Sequence, residues 1–204
     1  MSDDKRGIPD DIPMPEAPTP AAAGEAEVSE EQLKGLMDGS LNFQDFLSLS
    51  DEVLLSWANQ GYFLFNQGKY EESATIFRGL VTLNSKVAYY HTALGSIYEA
   101  QEKYDEALTE FDSALGIDGN DICALVNRGE IRLRQGDVLE AAEDFKKAIE
   151  LDDANTQAQV AAGQKIEPDP AASRARALSV VTYEVLKEIQ NKVEEAQARG
   201  EVIE

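Results

Sequence analysis

A chain of 204 residues with 18 basic and 39 acidic side chains, net charge −21, has room for one domain plus tails. Its field repels phosphate backbones and anionic lipid, which argues against nucleic acid and membrane surfaces as partners and leaves basic or apolar ones open. The same acidity also serves plain solubility. A lone cysteine, Cys123, excludes an intramolecular disulfide and fits a reducing compartment. Neither a signal-peptide core nor an apolar run of about 18 residues is present, so a cytoplasmic protein without membrane insertion is expected.

Residues 1–28 hold five of the seven prolines (Pro9, Pro13, Pro15, Pro18, Pro20) among acids, and a disordered tail is expected there. Residues 29–49 should form an N-terminal helix and a hydrophobic connector. Ser29 and Gln32 have capping-box spacing, Leu33, Leu36 and Met37 make a short apolar face, and Gly39 stops it. Leu41, Phe43, Phe46, Leu47 and Leu49 are too apolar for a free linker and should pack on the downstream helices or on a second chain. Ser50 is a candidate cap for the next helix.

From 50 to 153 the chain superimposes on itself at a shift of 34 residues. Trp57, His91 and Leu125 fall in register, as do Gly61, Gly95 and Gly129, Ser73, Ala107 and Ala141, and Phe77, Phe111 and Phe145. Asn84, Asp118 and Asp152 close the units. A fixed period of this length marks stacked helix-turn-helix units, and 34 is the tetratricopeptide length. The expected fold is all-α: a superhelix of three repeats with flanking helices. Glycines at Gly68 and Gly136 supply left-handed helix ends in two turns, while Glu102 has to manage in the third. Residues 154–166 should follow as a capping helix. Residues 167–204 read as a Glu-Pro-Asp-Pro break and an amphipathic helix from about 171 to 199, with Leu178, Val181, Val185, Ile189 and Val193 on one stripe.

Nothing in the chain points to catalysis, a cofactor or a metal. His91, the only histidine, sits in a packing column, and neither a zinc pair nor a Cys/His couple can be built from it and Cys123. Asp118-Gly119-Asn120-Asp121 lies at an inter-repeat turn and lacks calcium-loop spacing. A non-enzyme is expected, with its function on the concave face of the stack. Taking Trp57, Gly61 and Leu64 as the packed face of the first helix, the stripe facing the channel is Ala58, Tyr62 and Phe65. Thr92, Ser96 and Glu99, then Val126, Glu130 and Leu133, are the equivalents, with Leu55 and Tyr89 at the upper edge. No lysine-and-asparagine carboxylate clamp stands there, so an extended peptide with apolar anchors is the expected ligand. The bland alternative is that Tyr62 and Phe65 pack against the N-terminal segment.

The stretches Leu36-Met37-Asp38-Gly39-Ser40, Phe46-Leu47-Ser48-Leu49-Ser50 and Tyr62-Phe63-Leu64-Phe65-Asn66-Gln67-Gly68-Lys69-Tyr70-Glu71-Glu72 resemble the tetratricopeptide chaperones of type III secretion translocators, the class II secretion chaperones. The resemblance covers about residues 30 to 165. It implies a cytoplasmic chaperone that keeps a pore-forming translocator soluble before export, with an extended Pro/Leu-containing partner segment in the groove against Tyr62 and Phe65. Ala58 stands where that family tends to carry another aromatic. The family's N-terminal helix often mediates dimerisation, which makes Leu33, Leu36 and Met37 the residues for a homodimer contact. The proline-rich tail and the helix after Pro170 depart from the family form. A general tetratricopeptide scaffold or adaptor for complex assembly is the alternative, and a third is self-inhibition by Pro13-Met14-Pro15-Glu16-Ala17-Pro18, which lacks the leucine.

Overall fold

The structure, a computed structural model, describes residues 29–166 and 169–199, with the side chains of 196–198 left aside. The expected disordered tail, the self-inhibitory segment within it, and Glu167 and Pro168 of the break lie outside the described residues. Every regular element among those described is a helix.

Residues up to Leu41 form a unit of their own. In it α1 (Glu30–Asp38) starts with the capping box: the Ser29 hydroxyl accepts from the Gln32 amide at 3.1 Å and the Gln32 side chain accepts from the Ser29 amide at 3.0 Å. Gly39, at φ 74°, ends the helix, and the Leu41 amide donates to the Gly35 carbonyl at 2.9 Å. Leu33 and Met37 are exposed and Leu36 is half-buried.

The second unit, from Asn42 onward, begins with α2 (Phe43–Phe46). Gln44 is buried and ties this connector down: its amide donates to Asp51 at 2.6 Å and accepts from Asn84 at 2.8 Å. Leu49 packs against the first repeat's core. The connector therefore lies on the repeats, at the start of one helix and the end of the next.

Three helix pairs follow: α3 (Asp51–Asn66) with α4 (Tyr70–Leu83), α5 (Ala88–Ala100) with α6 (Tyr104–Ile117), and α7 (Ile122–Gln135) with α8 (Val138–Ala161). Ser50 occupies the cap position of α3 with extended backbone, yet its side chain makes no capping hydrogen bond. The register columns explain the pairing. Phe77, Phe111 and Phe145 are fully buried, and each ring lies over the glycine of its own unit. A Cβ on Gly61, Gly95 or Gly129 would stand 2.6, 2.7 or 2.6 Å from that ring, so only glycine fits. The small residues beside them do a related job, and the Ser73 hydroxyl donates to the Gly61 carbonyl at 2.7 Å.

Gly68 (φ 75°), Glu102 (φ 60°) and Gly136 (φ 93°) take the left-handed region in the three intra-repeat turns. Glu102 does so against the steric cost of its Cβ, roughly 1–2 kcal/mol. Glycine there gives back about 0.5–1 kcal/mol in chain entropy. Glu102→Gly is therefore expected to stabilise by about 0.5–1 kcal/mol and raise Tm by about 2–3 °C, read by calorimetry. A fall in Tm would mean that the Glu102 side chain holds the turn in some other way.

The third repeat departs from its sequence register. Asn84 and Asp118 leave the helix at the ends of α4 and α6, but Asp152 stays helical and α8 runs on to Ala161. Asp152 is buried and spends its carboxylate on Arg176 at 2.8 Å instead of on a turn. The separate capping helix expected at 154–166 is thus a continuation of α8, mostly exposed past Asp152. The cover of the last repeat is α9 (Pro170–Ala198), which packs on α8 and α7. Asp169 caps it, accepting from the Ala171 amide at 2.8 Å, with Pro170 at the first helical position. Its inward stripe is Ala171, Ala175, Leu178 and Thr182 rather than one through Val181 and Ile189, which are exposed. Small side chains at the docking end let the helices approach closely, a signal that hydrophobicity alone underweights.

Candidate peptide-binding groove

The first helices of the repeats, α3, α5 and α7, lie side by side, as their mutual contacts show. Between them and the start of α9 opens a cavity of about 860 Å³. One end is aromatic, with Tyr62, Phe65, Phe77 and Tyr89 on its wall. Tyr62 and Tyr89 are about half exposed, and the Tyr89 ring meets Phe77 edge-on at 6.1 Å. Burial, followed by the neighbouring Tyr62 and Tyr90, pushes the Tyr89 phenol up, so it stays a neutral hydrogen-bond donor. Phe65 stacks at a tilt on Tyr70 at 5.5 Å and packs partly into the first core.

The far end is polar. Thr92 forms part of the floor, its hydroxyl donating to Asp121 at 2.6 Å. Ser96 accepts from Asn127 at 3.0 Å. Arg174 of α9 binds both Glu130 and Asn127, which joins the C-terminal helix to the channel-facing side of α7. Arg134 lies over the Tyr104 ring at 6.0 Å. Glu99 is half-buried, and its carboxyl is pushed above the ordinary value by desolvation, then by the charge of Glu130.

Of the residues expected to face the channel, Tyr62, Phe65, Tyr89, Thr92, Ser96 and Glu99 line this cavity. Ala58 and Val126 do not: they are 1% and 0% exposed and belong to the cores of the first and third repeats. Leu55 is exposed outside the cavity, Leu133 packs on the third core, and Glu130 is held by Arg174 behind the wall. The buried residues of α3 are Leu54, Ala58 and Gly61, so the inward arc takes in Ala58 beside the Trp57 and Gly61 of the face read from the register. A helix that packs on two neighbours buries a wider arc than a single stripe. The cavity instead draws on the columns Leu55/Tyr89/Cys123, Asn59/Ala93/Asn127 and Tyr62/Ser96/Glu130, from which Tyr62, Tyr89, Ala93, Ser96, Cys123 and Asn127 line it. Cys123 and Asn127 were available from the 34-residue register; Asp169, Pro170, Ala171 and Arg174 were not, because they arrive by docking of a helix outside it. Elsewhere, His91 is engaged in structure, 2.7 Å from Glu110 and 3.2 Å from the Ser85 carbonyl, and no cluster suited to a metal occurs among the described residues.

Tetratricopeptide repeat models match residues 59–122 and 123–155. The stack is built of tetratricopeptide repeats. By sequence the chain is similar to the BBSome complex member BBS4 of Mus musculus, 29% identical over 127 residues, 62% of this chain and 24% of that protein. It is also similar to the probable peptide N-acetylglucosaminyltransferase SPINDLY of Arabidopsis thaliana, 29% identical over 98 residues, 48% of this chain and 10% of that one. The chain thus spans a quarter or less of these relatives. Among solved structures it resembles a type III secretion complex from Aeromonas hydrophila, with TM-score 0.66 and 20% identity over 78% of this chain and 99% of that chain. The translocator chaperone SycD of Yersinia enterocolitica follows at TM-score 0.59 and 19% identity, covering 69% and 98%. PcrH of Pseudomonas aeruginosa, in complex with the chaperone-binding region of PopD, matches at TM-score 0.58 and 24% identity, covering 67% and 95%. The resemblance read from residues 36–72 is thereby met in solved structures, as a likeness of fold. No helix among the described residues is long and apolar enough to cross a membrane.

Proposed function

We propose that this protein is a non-catalytic, cytoplasmic peptide-binding chaperone that holds an extended segment of a secreted, translocator-type protein in the groove before export. The observation that carries the reading is the open cavity with exposed Tyr62 and Tyr89 at its aromatic end. Large apolar surfaces left in water by a soluble protein mark binding sites. A segment with leucine and proline anchors suits such a wall, since proline lowers the entropy lost on ordering and aromatic faces accept it. PcrH, of like fold, is seen with the chaperone-binding region of PopD. The exposed Leu33 and Met37, with Leu36, are the proposed homodimer contact.

Replacing Tyr62 and Tyr89 together by alanine is expected to abolish co-purification with the partner while far-UV circular dichroism stays unchanged, since neither side chain is fully buried. Undiminished binding would sink the groove reading. A second reading, an adaptor for assembly of a larger complex, is favoured by the sequence likeness to BBS4, a member of such a complex. Co-purification from the native cell separates the two. A single membrane-active secreted protein supports the chaperone, whereas a set of subunits that remain associated supports the adaptor.

A further inference from the structure

Along the groove the chemistry changes from rings to carboxylates. At the polar end, among the described residues lining the cavity, Glu99, Glu102, Asp121 and Asp169 face two cations, Arg134 and Arg174. Most of these charges are already engaged. Arg174 is held by Glu130 and Asn127, and Arg134 lies over Tyr104. Asp121 caps α7 through the Ala124 amide at 3.0 Å and receives the Thr92 hydroxyl, while Asp169 caps α9. Glu99 differs from them. It is half-buried on the cavity wall, and among the described residues no hydrogen bond or ion pair closes on its carboxylate, although the charges of Arg174 and Arg134 act on it from further off and offset part of the burial and of the repulsion from Glu130. A partly desolvated carboxylate that no cation touches directly is held at a cost that a ligand's cation, placed in contact, reduces.

The first turn of α9 also walls off the third-repeat end, so a bound segment has to stop near Glu99 and Asn127. Two steps between packed helices span roughly 20 Å, which an extended chain covers in about six residues. We propose that the groove takes a short extended segment of mixed character: apolar side chains against Tyr62, Phe65 and Tyr89, and a lysine or arginine at the other end whose cation pairs with Glu99. The proposal rests on the groove reading above and adds to it the charge and length of the segment. It also assigns Glu99 a specificity role, since a segment carrying an acid at that place meets Glu99, Asp121 and Asp169 and is rejected.

Selection of a displayed random heptapeptide library on the full chain tests this, followed by fluorescence anisotropy of a selected peptide. Enrichment of apolar residues at one end and of lysine or arginine at the other is expected. Changing that basic residue to norleucine should weaken binding to the wild-type chain about tenfold, a charge-assisted contact discounted for partial exposure. The same change should make little difference to Glu99→Gln, whereas Glu72→Gln, exposed in the first turn of α4 and off the cavity, should behave as wild type. Apolar enrichment without a basic position, or a basic residue worth as much to Glu99→Gln, overturns the inference and leaves the groove reading standing. Failure to enrich any apolar pattern overturns the groove reading, and the inference falls with it.

Discussion

Phe111→Ala is expected to lower the free energy of unfolding by about 3–5 kcal/mol, among the largest effects of any single change in this chain. The ring is fully buried between α5 and α6, with Ala107, Ala114, Ala124 and Ile131 completing its cluster. Three of those neighbours are alanines, all lie on well-packed helices, and none can swing into the space the ring leaves. The central position adds to the effect. In a stack each repeat is stabilised by its neighbours, so weakening the middle unit uncouples the outer two. Urea denaturation followed by circular dichroism should show an earlier and broader transition. Gly95→Ala makes the complementary error, placing a Cβ 2.7 Å from the same ring at a cost of about 1–3 kcal/mol. Combined with Phe111→Leu, it should cost less than the two separate losses added together, because the smaller side chain frees the space. Simple additivity would show that the ring and the glycine are not the matched pair they form here, and a loss below about 1 kcal/mol for Phe111→Ala would show the core free to collapse.

Asp144→Ala should cost about 2–4 kcal/mol by a different route. Asp144 is 4% exposed and takes Arg128 at 2.6 and 3.0 Å and Arg132 at 2.9 Å, while Arg128 reaches on to Asp112 of the preceding repeat at 2.7 Å. Removing the carboxylate leaves two guanidinium groups crowded together with only Asp112 to answer them. Arg128 and Arg132 keep some access to water, which sets the lower end of the range. Denaturant midpoints of Asp144→Ala and of the triple change Arg128→Met, Arg132→Leu, Asp144→Leu separate the two components. The triple variant should recover most of the loss, since an apolar replacement removes the desolvation cost along with the pairing. A triple variant as unstable as the single one would mean that the network orients the repeats by geometry that apolar packing does not replace.

Much of the stack was legible because its columns repeat. Three glycines opposite three phenylalanines, at one spacing, admit a single arrangement of paired helices, and the left-handed turn at Glu102 followed from the glycines its sister turns possess. The capping box of α1 was equally plain, being a contact between residues three apart. The groove was half legible. The register supplied Tyr62, Tyr89, Ser96 and Glu99, but taking too narrow an inward face put Ala58 and Val126 on the channel, when both lie in the cores. That error arose because Trp57 and Leu64 are large and apolar while Ala58 is small; size suggested one narrow stripe, whereas two neighbouring helices bury an arc that holds Trp57 and Ala58 together.

By itself, then, the order of residues determined the helix pairs, their turns, the phenylalanine-on-glycine cores and the acidic character of the whole. All of these depend on neighbours within one 34-residue unit or on sums over the chain. Only the tertiary structure decided that α8 runs through Asp152, that α9 covers the last repeat through alanines, and that Arg174 closes the groove against Glu130. Those contacts join residues far apart in the chain, and their partners have no common period or composition that a sequence could announce. It is at that junction, where a helix outside the repeat meets the groove inside it, that Glu99 is left half-buried, with Arg174 and Arg134 acting on it only at a distance.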